Sequence, residues 1–225
     1  MRAYSEEEGK RICLMAILIV ALTYGFFLTM TFLELAPGLE AGHPSEYLIS
    51  TFFAVGSVVM ILLLLWYFNI VRMPLWFTAL LAFNLYYYSI SMFFGMYLRV
   101  SWWGDVAHCI SSMCVTAVVF LGLCVLESHS PGHVTLGSRK GILAMQLLIG
   151  ICLGGVWEIM EGYIDIITGT SYMVYGVTDT LYDLRADTAG AIIMVIIGYI
   201  LLGKYSVRQI SDTTRLWFSK KRVDS

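Results

Sequence analysis

The sequence predicts an all-α, polytopic membrane protein: a bundle of about six transmembrane helices with both termini on the cytoplasmic side. Three observations predict it. Of 225 residues, 59% are hydrophobic and only 13% charged, with mean hydropathy +0.77, whereas charged residues make up about a quarter of a soluble domain. Apolar runs recur, each long enough to cross ~30 Å of hydrocarbon at 1.5 Å per residue. Lys and Arg crowd into alternate connections, as the positive-inside rule requires. The net charge of −2 provides no basic field for nucleic acid, and no P-loop or glycine-rich phosphate cradle supports nucleotide chemistry.

The runs cover residues 12–33, 48–68, 75–98, 106–126, 142–164 and 184–202. The first exceeds the apolar core of a secretory signal and lacks a small-x-small cleavage site, so it reads as a helix of the mature protein. With the N-terminus inside, Arg2, Lys10, Arg11, Arg72, Arg139, Lys140, Lys204, Arg208, Arg215, Lys220, Lys221 and Arg222 are cytoplasmic, and Arg99 and Arg185 lie outside. One transmembrane domain over 1–205 and a basic tail over 206–225 follow, the tail lying along an anionic inner leaflet. The expected location is the inner or plasma membrane, crossed several times.

The connections add detail. The first outer loop holds Glu34, Pro37, Glu40, His43, Pro44 and Glu46 and reads as an acidic turn with a solvated histidine. A short turn at 72–74 makes the second and third helices an antiparallel hairpin. In the third helix, Asn84, Tyr86, Tyr87, Tyr88, Ser89 and Ser91 form a polar band suited to interhelical hydrogen bonds, with substrate lining as the alternative. Trp102 and Trp103 mark the outer interface. His129 and His133 are separated by Pro131-Gly132, which breaks any helix and argues against a metal pair. Cys13, Cys109, Cys114, Cys124 and Cys152 form no CxxC pair and read as small buried hydrophobes.

The chemistry concentrates between residues 154 and 191, where Glu158, Glu161, Asp165, Asp179, Asp183 and Asp187 fall between two apolar runs. Counting from cytoplasmic markers places Glu158 ~27 Å beyond Lys140, Asp187 ~25 Å before Lys204 and His108 ~28 Å before Glu127. Three helices thus carry ionisable groups at one level, just within the outer interface. Asp105 and His108 are three apart, Glu158 and Glu161 three, Glu161 and Asp165 four, and Asp183 and Asp187 four, so each set shares a helix face. Such faces turn to a bundle interior or a wet cavity.

Asp105 and Asp183 stand near expected helix N-termini, where they could act only as caps. Glu158 and Glu161 oppose their helix dipole and need a positive partner, whether a proton, Arg185, Arg99 or a metal ion. His108 with Glu158, Glu161 and Asp187 forms a carboxylate and imidazole set suited to a divalent ion such as Mg, Mn or Zn. A proton-sharing network tying the helices together is the other reading. Gly154-Gly155 and Gly190-Ala191 permit close approach of the last two helices. The loop with Gly169, Tyr172, Tyr175 and Gly176 reads as a lid or as an ordinary interfacial loop.

The order D-x-x-H, W-E-x-x-E, then D-x-x-x-D-x-x-A-D-x-x-G-A, carried by Asp105 to His108, Trp157 to Glu161 and Asp179 to Ala191, resembles YjdF-like inner-membrane proteins of unknown function. More distantly it is similar to VanZ-like membrane proteins, although Glu161 stands where those tend to carry Gln. The resemblance implies Asp105, His108, Glu158, Glu161, Asp183 and Asp187 as the site.

The functional expectation is a site near the outer face that acts on a lipid or lipid-linked cell-envelope head group. As a hydrolase or transferase, it would use a metal at His108, Glu158, Glu161 and Asp187, with Asp183 or Asp105 as general base. A proton- or cation-coupled transporter and a non-catalytic scaffold are the alternatives. Partners beyond the bilayer and such a substrate, and the oligomeric state, are not legible.

Overall fold

The computed structural model describes residues 6–216 except 69, 130–135, 137, 170, 172 and 175. Helices α1 (Glu6–Phe32), α2 (Pro37–Ala41) and α3 (Ser45–Tyr67) lead to a two-residue strand β1 (Val71–Arg72). There follow α4 (Leu75–Phe94), α5 (Met96–Arg99), α6 (Trp103–His129), α7 (Arg139–Thr168), α8 (Val177–Lys204), α9 (Val207–Asp212) and β2 (Arg215–Leu216). Six of these, α1, α3, α4, α6, α7 and α8, are long and apolar enough to span a membrane. The protein is a multi-pass membrane protein of the all-α class. The only regular sheet among the described residues is the antiparallel pairing of β1 with β2.

The chain divides into two compact units, one within Met1–Ser101 and Thr213–Ser225, the other Trp102–Asp212. In the first, an aromatic core joins α1, α3 and α4: Phe27 stacks on Phe93 at 4.8 Å and packs against Phe52 at 5.1 Å. The polar band of α4 works as interhelical glue. Tyr24 and Ser89 share a buried hydrogen bond of 2.6 Å, and Thr23 meets the Tyr86 hydroxyl at 3.4 Å. Arg99 donates to the Pro37 carbonyl at 3.2 Å within this unit.

The third apolar run does not continue as one helix to residue 98. Gly95 closes α4 with φ 65°, and a Cβ there would overlap that of Ala41, so only glycine satisfies both the left-handed backbone and the contact with α2. The connection between α1 and α3 is therefore folded onto the end of α4. His43 is half-buried rather than solvated: its Nε2 has no hydrogen-bond partner among the described residues, and its ring lies 5.8 Å from that of Tyr47.

The second unit packs α6, α7, α8 and α9 together. Its spans are longer than their apolar runs because the polar residues at the Trp103 end are helical too: α7 runs from the Ser138 cap, which accepts from Gly141 N–H, to Gly169. The faces of α7 are inverted relative to a soluble helix. Gln146, Glu158, Glu161 and Asp165 are buried, whereas Leu148, Ile159, Ile166 and Ile167 are exposed, as a lipid-solvated helix requires. At the Lys140 end, Ser211 of α9 lies 3.4 Å from His129 Nδ1; His133 falls outside the described residues, as do Trp217, Phe218, Lys220, Lys221 and Arg222 of the tail. All five cysteines are free, and Cys152 is exposed on α7 rather than buried.

Burial lowers the pKa of His43 because the charged imidazole loses hydration. The unfolded chain then binds the proton more readily than the folded one. The stabilising contribution is complete above the ordinary histidine range and is lost as pH falls through ~6.5. The apparent melting temperature in detergent should fall between about pH 7 and about pH 5.5, and His43→Phe should flatten part of that fall. Identical slopes for the two proteins would contradict this placement of His43.

Candidate functional site

Every sequence-predicted site residue lies in the second unit, on the facing stripes of α6, α7 and α8. His108, one turn into α6, points between the other two helices. Its Nδ1 lies 3.6 Å from Glu158 Oε1 of α7 and 3.5 Å from Asp187 Oδ1 of α8; its Nε2 lies 3.7 Å from Asp183 Oδ1. The level deduced from helical rise is the level at which they meet.

Asp183 is not a helix cap. Helix α8 begins at Val177, earlier than the apolar run, so Asp179 occupies the first turn and Asp183 the second, buried beside the imidazole. Asp105 lies in the first turn of α6 and pairs with Arg185 at 3.5 Å. The exposed Arg185 guanidinium also covers the Tyr182 ring at 4.7 Å. Arg185 therefore compensates the rim carboxylate rather than Glu158 or Glu161, and Arg99 belongs to the other unit.

Glu161 accepts a hydrogen bond of 2.8 Å from the Trp157 indole, one turn earlier on α7. One donor atom from each of His108, Glu158 and Glu161 falls within 4.8 Å of the others. Both Glu158 oxygens and Asp187 Oδ2 are buried without a hydrogen-bond partner among the described residues. Glu158, Glu161, Asp183 and Asp187 thus surround one imidazole. If all four were ionised, a single positive charge could not balance them, and low-dielectric surroundings magnify the excess. The set could hold a cation through two carboxylates and one imidazole nitrogen, with a carboxylate at the other ring nitrogen fixing the ring.

Small residues bring the stripes together. A Cβ at Gly154 would meet Asp187 Oδ2 at 2.8 Å, and one at Gly190 would overlap the Cys109 carbonyl oxygen. Ser112 of α6 donates to the Asp187 carbonyl at 2.8 Å. Asp165 has a separate role. Its Oδ2 accepts the backbone N–H of Met173 at 3.0 Å and of Val174 at 2.9 Å, tying down the loop between α7 and α8. Tyr172 and Tyr175 of that loop fall outside the described residues.

Sequence reasoning missed three participants. Trp157 is the indole donor to Glu161, and its i, i+4 spacing was a usable signal. Thr116 and Gln146 are fully buried on the same stripes, spaced by turns of four from His108 and Glu158, but their neutral side chains drew no attention.

Residues 12–204 match the family described as "Predicted membrane protein (DUF2238)". The chain belongs to this family, in agreement with the YjdF-like resemblance. No curated protein and no solved structure matches it, and the more distant VanZ-like likeness gains no support.

Overpacking at the close approaches should be costly. Gly190→Ala should lower unfolding stability in detergent by about 1–3 kcal/mol, since backbone of α6 cannot yield as a flexible side chain can. Gly155→Ala, where a Cβ meets nothing within 4 Å, should have no such effect. Equal melting temperatures for the two variants would contradict the α6–α8 contact.

Proposed function

We propose that this member of the family is a membrane-embedded, metal-dependent hydrolase or transferase. Its substrate is the head group of a lipid or lipid-linked cell-envelope molecule, reached from the outer face of the cell membrane. One observation carries the reading: His108, Glu158 and Glu161 converge from two helices to within 4.8 Å, while both Glu158 oxygens are buried without a hydrogen bond among the described residues. A nitrogen and two carboxylate oxygens suit Zn or Mn better than Mg, which favours oxygen ligands and retained water. His108, Glu158 and Glu161 would hold the ion, with Asp187 against the imidazole. Bound there, it supplies Lewis-acid polarisation of an ester or phosphoryl oxygen.

The remaining residues supply positioning and proton chemistry. Asp183, 3.7 Å from His108 Nε2, would take a proton from an attacking water or hydroxyl group, and Asp187, 3.5 Å from Nδ1, would orient the ring. The new bond forms from that oxygen to carbon or phosphorus, and the ester oxygen leaves with a proton. At the rim, Asp105 holds Arg185, whose exposed guanidinium suits an anionic head group. Trp102 precedes and Trp103 opens α6 at the same end, a position that favours a membrane interface.

Elemental analysis of the purified protein tests the reading. Wild type should carry about one Zn or Mn per chain, and His108→Ala and Glu158→Ala should each lower that content at least ~10-fold, as loss of a ligand does. Equal trace content in all three proteins would replace the metal site with a proton-sharing network.

A further inference from the structure

We infer that Trp157 is a positioning residue of the carboxylate–histidine site: its indole holds Glu161 as a one-oxygen ligand, and the site thereby takes zinc in preference to larger divalent ions. This rests on the metal site proposed above and adds which ion that site selects. Glu158 and Glu161 are each 6% exposed. Among the described residues the two accept a single side-chain hydrogen bond, from Trp157 Nε1 to Glu161 Oε1 at 2.8 Å. Glu158 has no hydrogen bond to fix its carboxylate plane, and Glu161 has one.

The surroundings offer Glu161 little else. It lies within α7, where backbone N–H groups serve the helix itself. The side chains that act on it from α6 and α8 are His108, Asp179 and Asp183, of which the two carboxylates are acceptors when ionised. The imidazole is shared among Glu158, Asp183 and Asp187. Trp157 stands on an apolar stripe of α7 with Leu153, Met160 and Ile164, all 38–47% exposed and spaced by four, three and four. On a lipid-facing stripe the indole N–H has no water to return to, so its bond to Glu161 is kept.

That bond decides how Glu161 can meet an ion. A carboxylate coordinates through one oxygen or chelates through both. Chelation would turn both Glu161 oxygens to the ion and cost the indole bond. With the bond kept, His108, Glu158 and Glu161 each present one ligand atom, as the 4.8 Å set requires. Three protein ligands and an open position make the tetrahedral arrangement of catalytic zinc. Calcium takes about six to eight oxygens, often through chelating carboxylates, and manganese suits an octahedral oxygen shell. A Glu161 held to one oxygen disfavours both.

Calorimetric titration of the metal-free full chain in detergent, with zinc and separately with manganese, tests the inference. Trp157→Phe keeps an aromatic ring and loses the N–H; it should narrow the preference for zinc over manganese at least ~10-fold. Trp157→Gln, whose amide can donate across the same turn, should restore it. A bond that only secured the helix would alter the melting temperature of the metal-free protein and leave the ratio of the two affinities unchanged. A wild-type ratio in Trp157→Phe, or one narrowed equally in Trp157→Gln, overturns the inference while zinc binding stands. No zinc uptake by wild type overturns the metal site itself, and the inference with it. Should Trp157→Phe not fold, wild type carrying 15N in its six tryptophan indoles decides. An indole N–H signal should shift as zinc binds, and six unmoved signals overturn the inference.

Discussion

The second unit depends on a single electrostatic constraint: Glu158, Glu161, Asp183 and Asp187 are buried around His108, in a chain whose outward faces are apolar. Charge in such a place is costly unless it is paired, hydrogen-bonded or neutralised. The packing of α6, α7 and α8 follows from that cost. Glycines at 154 and 190 let the backbones close on one another, the Trp157 indole supplies a donor to Glu161, and the large apolar side chains of α7 turn outward. The polar stripes and the lipid-facing surfaces are two results of one partition.

The same geometry bears on the choice between a cation site and a structural clasp. A network whose purpose was to tie helices together would close its hydrogen bonds, as Tyr24 and Ser89 do at 2.6 Å in the first unit. Around His108 the separations are 3.5–3.7 Å, beyond a normal hydrogen bond of about 3 Å, and Glu158 makes no hydrogen bond among the described residues. On the proposed reading, ligands held near one another without hydrogen bonds are where a cation would sit. Asp165 provides the contrast: its oxygen is satisfied by the Met173 and Val174 amides, and it is structural.

Much of this was legible in the residues. Run length disclosed six spans, and spacings of three and four placed carboxylates on common faces. Rise per residue put His108, Glu158 and Asp187 at one depth, where the structure brings them together. What was not legible depended on partners remote in sequence or on backbone. Hydropathy ended α8's apolar run at Leu184, so Asp183 looked like a cap until seven helical residues were seen before Leu184. Arg185 was a candidate counter-charge for Glu158 or Glu161, but only tertiary geometry could assign it to Asp105. The loop amides that Asp165 binds have no side-chain signature. Thr116 and Gln146 resemble ordinary polar glue in a sequence, because their lack of hydrogen bonds among the described residues is a property of packing.

On the proposed reading, His108 and its carboxylates form one cation-binding centre. X-ray absorption at the metal edge of zinc-loaded, detergent-purified protein tests that claim most directly. The account predicts a first shell of nitrogen and oxygen that includes one imidazole and loses its imidazole scattering in His108→Ala. An all-oxygen shell in wild type, or a spectrum unchanged by His108→Ala, would contradict it.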